Sequence, residues 1–355
     1  MNYQQEFEDI IQMMLKQNAS DLHITVGRHP TIRVDGSLVE LTKKPVVDQD
    51  IAREFIFLML SKEQQEAFLR LKEFDLSYSF KGIARFRVNI FVQRGYMGAA
   101  LRFIPTRIKT FEELQLPEIL ADFCLKPQGF FLCVGPTGHG KTTTLSAMVE
   151  YINHSRHDHV ITIEDPIEYL FTSDRCIIDQ REVGTDTESF EIALRSMFRE
   201  DVDVAMVGEM RDKATMAAAV TAAETGHLIL SSIHTNNAAQ TIDRIIDSFP
   251  ADQQNQIRSQ LANTLVGILS QRLIPRIGGG LVPAIEIMIA NSAIRNLIRE
   301  NRMHEIDLVI ETSSDEGMIS LNRALIDLIR SGTISLKSAI TYSLNPGELQ
   351  LLLKR

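Results

Sequence analysis

The chain has 355 residues, 44% of them hydrophobic, and sets 37 Lys and Arg against 46 Asp and Glu for a net charge of -9. That length suggests two or three domains around a large core, and the acidic balance argues against a broad nucleic-acid-binding surface. Cys124, Cys133 and Cys176 form no C-x-x-C pair, which fits a reducing cytoplasm and argues against a disulfide framework or a zinc ribbon.

The first ten residues are polar and acidic, unlike a signal peptide, and no apolar run approaches the roughly 18 residues of a membrane span. A soluble protein is expected, with any membrane association made through a partner. Residues 3–17 carry Phe7, Ile10, Ile11, Met14 and Leu15 at helical spacing and predict an amphipathic helix. Short alternating segments follow: Asp21 to Val26, ending in Gly27, and Thr31 to Val34, running into an Asp35-Gly36 turn signal. His23 lies in that alternation with no second ligand nearby and reads as a packed or surface histidine. Residues 48–71 predict two helices broken near Ser61, and Phe74 to Phe80 and Ala84 to Phe103 return to strand alternation.

Residues 1–104 therefore read as a small α+β domain. Within it Arg85 and Arg87 share one strand face, with Phe86 and Val88 on the other. The two arginines are either a solvated strand face or a pair that reaches a phosphate across a domain or subunit boundary. Residues 105–117, bracketed by Pro105 and Pro117 and without a sustained period, read as a linker.

From residue 118 strands and helices alternate, the signature of a parallel sheet covered on both faces. An apolar run, Phe130 to Val134, enters Gly135-Pro136-Thr137-Gly138-His139-Gly140-Lys141-Thr142, and a helical segment, Thr143 to Ile152, leaves it. This is the phosphate-binding loop G-x-x-x-x-G-K-[ST] in its strand–loop–helix setting. Its glycines let backbone N–H groups face phosphates and the helix N-terminus adds positive potential. Lys141 reaches the β- and γ-phosphates and the Thr142 hydroxyl ligates Mg²⁺; Gly135 to Thr142, with Thr143, are the candidate nucleotide contacts. A second apolar strand ends in Glu164-Asp165-Pro166, at the carboxyl edge where such sheets bind ligands. Glu164 could orient and deprotonate the attacking water, or Asp165 could hold Mg²⁺ through waters; a plain strand-ending acidic turn is the alternative.

A third strand, Val202 to Val207, ends in Gly208-Glu209-Met210-Arg211-Asp212, a Walker B shape with Glu209 in place of the usual Asp. Before it, Arg195 and Arg199 at i, i+4 fit a contact with phosphate or a neighbouring subunit and a surface ion-pair pattern equally well. His227 and His234 flank a strand-like run whose alternation puts them on opposite faces, so a site using both on one face is not expected. Either alone could contact the γ-phosphate or a neighbouring subunit. Residues from about 251 onward read as mostly helical, interrupted by Pro275, Gly278-Gly279-Gly280 and Pro283.

These boxes, in this order, resemble the secretion ATPase superfamily, and within it the type IV pilus retraction motors of the PilT and PilU group. The likeness spans nearly the whole chain, from Ser20-Asp21-Leu22-His23 and Gly36 to the tail segment Ala293 to Glu300. It implies a RecA-like nucleotide-binding core with a helical C-terminal extension, preceded by a PAS-like domain. It further implies ATP and Mg²⁺ as cofactors, Glu164 as catalytic base and Glu209 in the metal shell. His227 and His234 would sense the γ-phosphate, and Arg85 and Arg87 would close over the nucleotide as a ring changes shape. The implied partners are a homohexamer and an inner-membrane pilus platform protein, with a paralogous retraction ATPase as a further candidate. The implied location is cytoplasmic, peripheral at the inner membrane. His139 stands where the family usually carries Ser and is expected to point outward. The tail from Met318 looks closer to PilU and the Ala293 to Glu300 segment to PilT, so principal and accessory motor both stay open.

Other readings remain. An assembly or secretion motor of the same superfamily usually carries a longer N-terminal region and a four-cysteine zinc insertion, and this chain has neither. A nucleic-acid translocase on the same core sits poorly with the acidic balance. A passive partner of another ATPase sits poorly with the complete acidic boxes.

Overall fold

The computed structural model describes residues 2–34, 36–104 and 107–354. Asp35 of the expected turn, and Pro105 and Thr106 of the expected linker, lie outside them. Two units emerge: Met1–Arg107 with Pro166–Leu170, and Ile108–Asp165 with Phe171–Arg355.

In the first unit the elements are α1 (Tyr3–Lys16), β1 (Asp21–Ile24), β2 (Thr31–Val34), β3 (Ser37–Glu40), α2 (Gln49–Phe57), α3 (Lys62–Leu71), β4 (Glu73–Phe80), β5 (Ala84–Gln93) and β6 (Tyr96–Ile104). The strands form one antiparallel sheet in the order β3-β2-β1-β6-β5-β4. Phe7, Ile10, Ile11 and Met14 of α1 share a core with Phe55 of α2 and with Phe86, Val88 and Leu101 of the sheet. Ser61 breaks the helical stretch because it caps α3 in a reciprocal pair with Gln64, which satisfies two otherwise orphaned N–H groups. On β5, Ala84, Phe86, Val88 and Ile90 are buried, which turns Arg85 and Arg87 to the other face.

The second unit contains α4 (Ile119–Cys124), β7 (Gly129–Val134), α5 (Lys141–Ser155), β8 (His159–Glu164), β9 (Ile177–Glu182), α6 (Phe190–Met197), β10 (Val204–Val207), α7 (Lys213–Glu224), β11 (Leu228–Ile233), α8 (Ala238–Asp247), α9 (Ala251–Thr264), β12 (Leu265–Pro275) and β13 (Leu281–Ile289). Five helices follow: α10 (Ser292–Arg299), α11 (Ile306–Thr312), α12 (Leu321–Arg330), α13 (Leu336–Tyr342) and α14 (Pro346–Leu353). The sheet order is β13-β12-β7-β11-β10-β8-β9, parallel except for the β12–β13 pair. Alternate residues of each central strand pack to opposite sides. Phe130, Leu132 and Val134 join helices α6 to α9, whereas Phe131 and Cys133 join α4 and α5. Among the described residues, no helix is long and apolar enough to cross a membrane.

Two expectations change. Residues 108–117 are not a free linker, because Phe111, Leu114 and Leu116 pack into the core beside α5, with Phe111 stacked on Tyr151 at 5.3 Å. The tail is helical only on either side of a long hairpin, β12–β13. β12 is buried on both faces through most of its length and therefore shows no alternation to read. Pro283 is tolerated because β13 is an edge strand, and the three glycines form the turn.

Glu286 of β13 is 6% exposed and accepts the Ala238 N–H at the start of α8. Burial, with Asp307 nearby, pushes its carboxyl up to about 7. A folded-state value above that of an exposed Glu means that its contribution to stability is complete at low pH and is lost as pH rises toward 7. Glu286→Gln keeps the accepting oxygen without the charge. It is expected to raise the apparent Tm at pH 8 by several degrees, from at most about 3 kcal/mol, and to change little at pH 5. Thermal melts of both proteins at the two pH values check this; an equal shift at both would remove the ionisation argument.

Candidate active site

The chemistry gathers where the strands of the second unit end. β7, β8, β10 and β11 are parallel, so the loops after Val134, Glu164, Val207 and Ile233 leave from one edge of the sheet.

The phosphate loop is built by close approach. Gly135 (φ +145°) and Gly140 (φ +84°) adopt backbone that side chains rarely take, and a Cβ at Gly135 would sit 2.3 Å from the Gln271 carbonyl. Gly140 precedes the fifteen-residue α5 with no side-chain cap, so the first N–H groups of that helix remain available to an anion. The Lys141 ammonium donates to the carbonyls of Gly135 (2.9 Å) and Pro136 (3.0 Å) and lies 3.1 Å from His234 Nδ1. Burial draws its pKa below the ordinary lysine value.

His234 joins the loop to the Walker B acid. Its Nε2 lies on the other side, 3.0 Å from Glu209 Oε1, so the ring bridges the Lys141 ammonium and that carboxylate. Arg211 Nη2 is 3.0 Å from the other Glu209 oxygen. Burial alone would raise the Glu209 carboxyl, but Arg211 and His234 hold it below the usual carboxylate range.

Glu164 ends β8 at 2% exposure. Its Oε1 accepts from Thr162 Oγ1 at 2.7 Å and from Gln180 Nε2 at 3.3 Å, Thr162 and Gln180 being register partners on β8 and β9. Gly208, just after β10, lies beside this residue: a Cβ there would be in ordinary van der Waals contact with Glu164 Cα, at 3.5 Å. The two strand-end acids thus leave the same edge of the sheet from neighbouring strands. Asp165, the alternative, is more exposed and lies 3.8 Å from Arg211.

Two sequence assignments change here. His227 stands one residue before β11, at the edge where β7 begins, with its ring against Phe198 and Nδ1 on the Ala222 carbonyl. Six strand residues, roughly 20 Å, separate it from the edge carrying the phosphate loop of its own chain. His139 does not point outward: its Nδ1 accepts the Leu273 N–H at 2.8 Å. Arg195 forms an ion pair with Glu191 one turn back on α6, the surface-pair alternative.

In the first unit, Arg85 Nε donates to the Ile167 carbonyl (3.3 Å), as does Ser77 Oγ (3.0 Å), and Arg87 Nη1 lies 3.4 Å from Glu168 Oε1. Both arginines therefore hold the five-residue segment Pro166–Leu170 that directly follows Glu164 and Asp165 in the chain. That tether, and the role of Gln271 as a wall behind the phosphate loop, had no signal in local sequence pattern.

A cavity of about 320 Å³ lies elsewhere in the second unit, lined by Glu286, Asp307, Glu311 and Glu348 among others. Its carboxylates would repel a polyphosphate, and it includes no phosphate-loop residue.

The type II/IV secretion system protein family matches residues 3–279. The chain belongs to that family. It is 44% identical to the type IV pilus retractation ATPase PilT of Pseudomonas aeruginosa over 94% of its own length and 97% of the relative's. It is 40% identical to the type IV pilus ATPase PilU of the same organism, over 98% and 91%. A crystal structure of the pilus retraction motor PilT with bound ADP superposes with a TM-score of 0.91 at 43% identity, covering 97% of this chain and 98% of that one. With its phosphate loop and strand-end acids in place, the chain is an ATPase of the secretion family with the fold of that motor.

Proposed function

We propose that this chain is an ATP-driven motor that powers type IV pilus retraction. The observation that carries the reading is near full-length likeness to a pilus retractation ATPase, combined with Lys141, Glu164, Glu209 and His234 on one sheet edge. Lys141 and the α5 N-terminus bind the phosphates. An oxygen-only set, the Thr142 hydroxyl with Glu209, suits a hard cation such as Mg²⁺, which when bound neutralises charge on the β- and γ-oxygens. Glu164 takes a proton from the water that attacks the γ-phosphorus, and ADP leaves as the P–O bond breaks. His234, held between Lys141 and Glu209, reports the γ-phosphate to both. Arg85 and Arg87 stabilise the charge on the transferring group.

The working unit is a homohexamer on the cytoplasmic side of the inner membrane, acting on a platform protein of the pilus machine. The likeness to PilU over 98% of the chain favours a second reading, an accessory motor working beside a paralogous ATPase.

The test is to count surface pili, and follow their shortening, in a host deleted for this gene. Excess pili that no longer shorten support the principal motor. Bald cells would replace it with an assembly motor. Unchanged pili that become excessive only when a paralogue is also deleted support the accessory reading.

A further inference from the structure

The phosphate-loop motif demands glycines, Lys141 and Thr142 but leaves position 139 open. In this chain a histidine fills it and does specific structural work. β7 stops pairing with β12 at Val134, opposite Ser270, while β12 runs on to Pro275. Leu273 lies opposite Pro283 on β13, which has no N–H, and its own N–H points away from β13 toward the phosphate loop. With no strand there to receive it, that donor is met by His139 Nδ1 at 2.8 Å. Two residues earlier on β12, Gln271 secures the same loop, donating to the His139 carbonyl at 2.9 Å and accepting from Thr144 Oγ1 at 2.7 Å.

We propose that His139 is a positioning residue for ATP binding: its Nδ1 stands in for a strand carbonyl, accepts the Leu273 N–H, and fixes the phosphate loop on β12. The bond requires an unprotonated Nδ1, hence a neutral ring. Partial burial of the ring, then the positive charges of Arg272 on β12 and Lys141 on the loop, disfavour protonation, and the Tyr342 ring of α13 lies edge-on at 6.4 Å. Through Tyr342 the His139 ring touches the cluster that α12, α13 and α14 form with the end of the hairpin. The inference concerns the ATPase loop and is independent of what the motor moves.

The test uses the full-length protein and three variants, His139→Ala, His139→Asn and His139→Gln. ADP dissociation constants and steady-state ATP hydrolysis are measured between pH 5.5 and 8. An Asn oxygen lies where Nδ1 lies, whereas a Gln oxygen lies one bond farther out. Ala is expected to weaken ADP binding and raise KM roughly 5–30-fold, with the loss falling on KM more than on kcat, because it leaves a partly buried N–H unmet. Asn should recover most of that loss and Gln little of it. The parent's KM should rise at acid pH more steeply than that of the Asn variant. Parent-like binding by Ala, or no advantage of Asn over Gln, would overturn the proposal. Should Ala fold poorly, the Asn and Gln comparison decides alone, with their melting temperatures as the control for folding.

Discussion

Arg87→Ala is expected to bind ATP as the parent does and to hydrolyse it roughly 10³–10⁵-fold more slowly, the effect of losing an arginine that meets the transferring phosphoryl group. Binding should survive because Lys141, the loop glycines and α5 all belong to the other unit. The competing account is that Arg87 merely ties Glu168 to β5. That pair is 3.4 Å long with the arginine 43% exposed, so it is worth no more than about 1 kcal/mol and is exchangeable for a stronger anion. Glu168→Gln separates the accounts. It breaks the same pair but keeps the guanidinium, so turnover should stay within a few-fold of the parent. Normal turnover in Arg87→Ala would remove that residue from the mechanism.

Glu164→Gln should be nearly as damaging, slowing hydrolysis roughly 10²–10⁴-fold while preserving nucleotide binding and Tm. The amide oxygen can still accept from Thr162 Oγ1, so the buried strand end stays satisfied and only the base is lost. Asp165→Asn is the companion variant. Asp165 is 41% exposed and beside Arg211, whereas Glu164 is buried and oriented by two donors. Hydrolysis that survives in Glu164→Gln but fails in Asp165→Asn would transfer the role to Asp165. Rapid-quench measurement of a single turnover separates slow chemistry from slow product release.

Much of this site was legible because its parts are local. The phosphate loop is eight consecutive residues between a buried strand and a helix, and the acids at 164 and 209 each close an apolar run. Amphipathic α1 and the helix break at Ser61 were equally plain, since one face or one cap announces each. The four-residue, fully exposed β3 was not, because it has no buried face to set a period. Nor was the β12–β13 hairpin, where burial on both sides erases alternation and leaves strand and helix indistinguishable by pattern.

The histidines divide most clearly. Alternation put His227 and His234 on opposite faces of one strand; instead β11 covers only Leu228–Ile233, and the two stand at its opposite ends. Local pattern set the residue types, the nucleotide loop and the order of the boxes. Strand order decided which of them meet: β10 beside β8 brings Gly208 against Glu164, and β11 beside both β7 and β10 sets His234 between Lys141 and Glu209. The inward turn of His139 depends on a backbone donor 134 residues away in sequence. Only the pairing of β12 with β7 brings that partner to the loop, because an N–H beyond the paired part of a strand finds its acceptor in space and leaves no trace in neighbouring sequence.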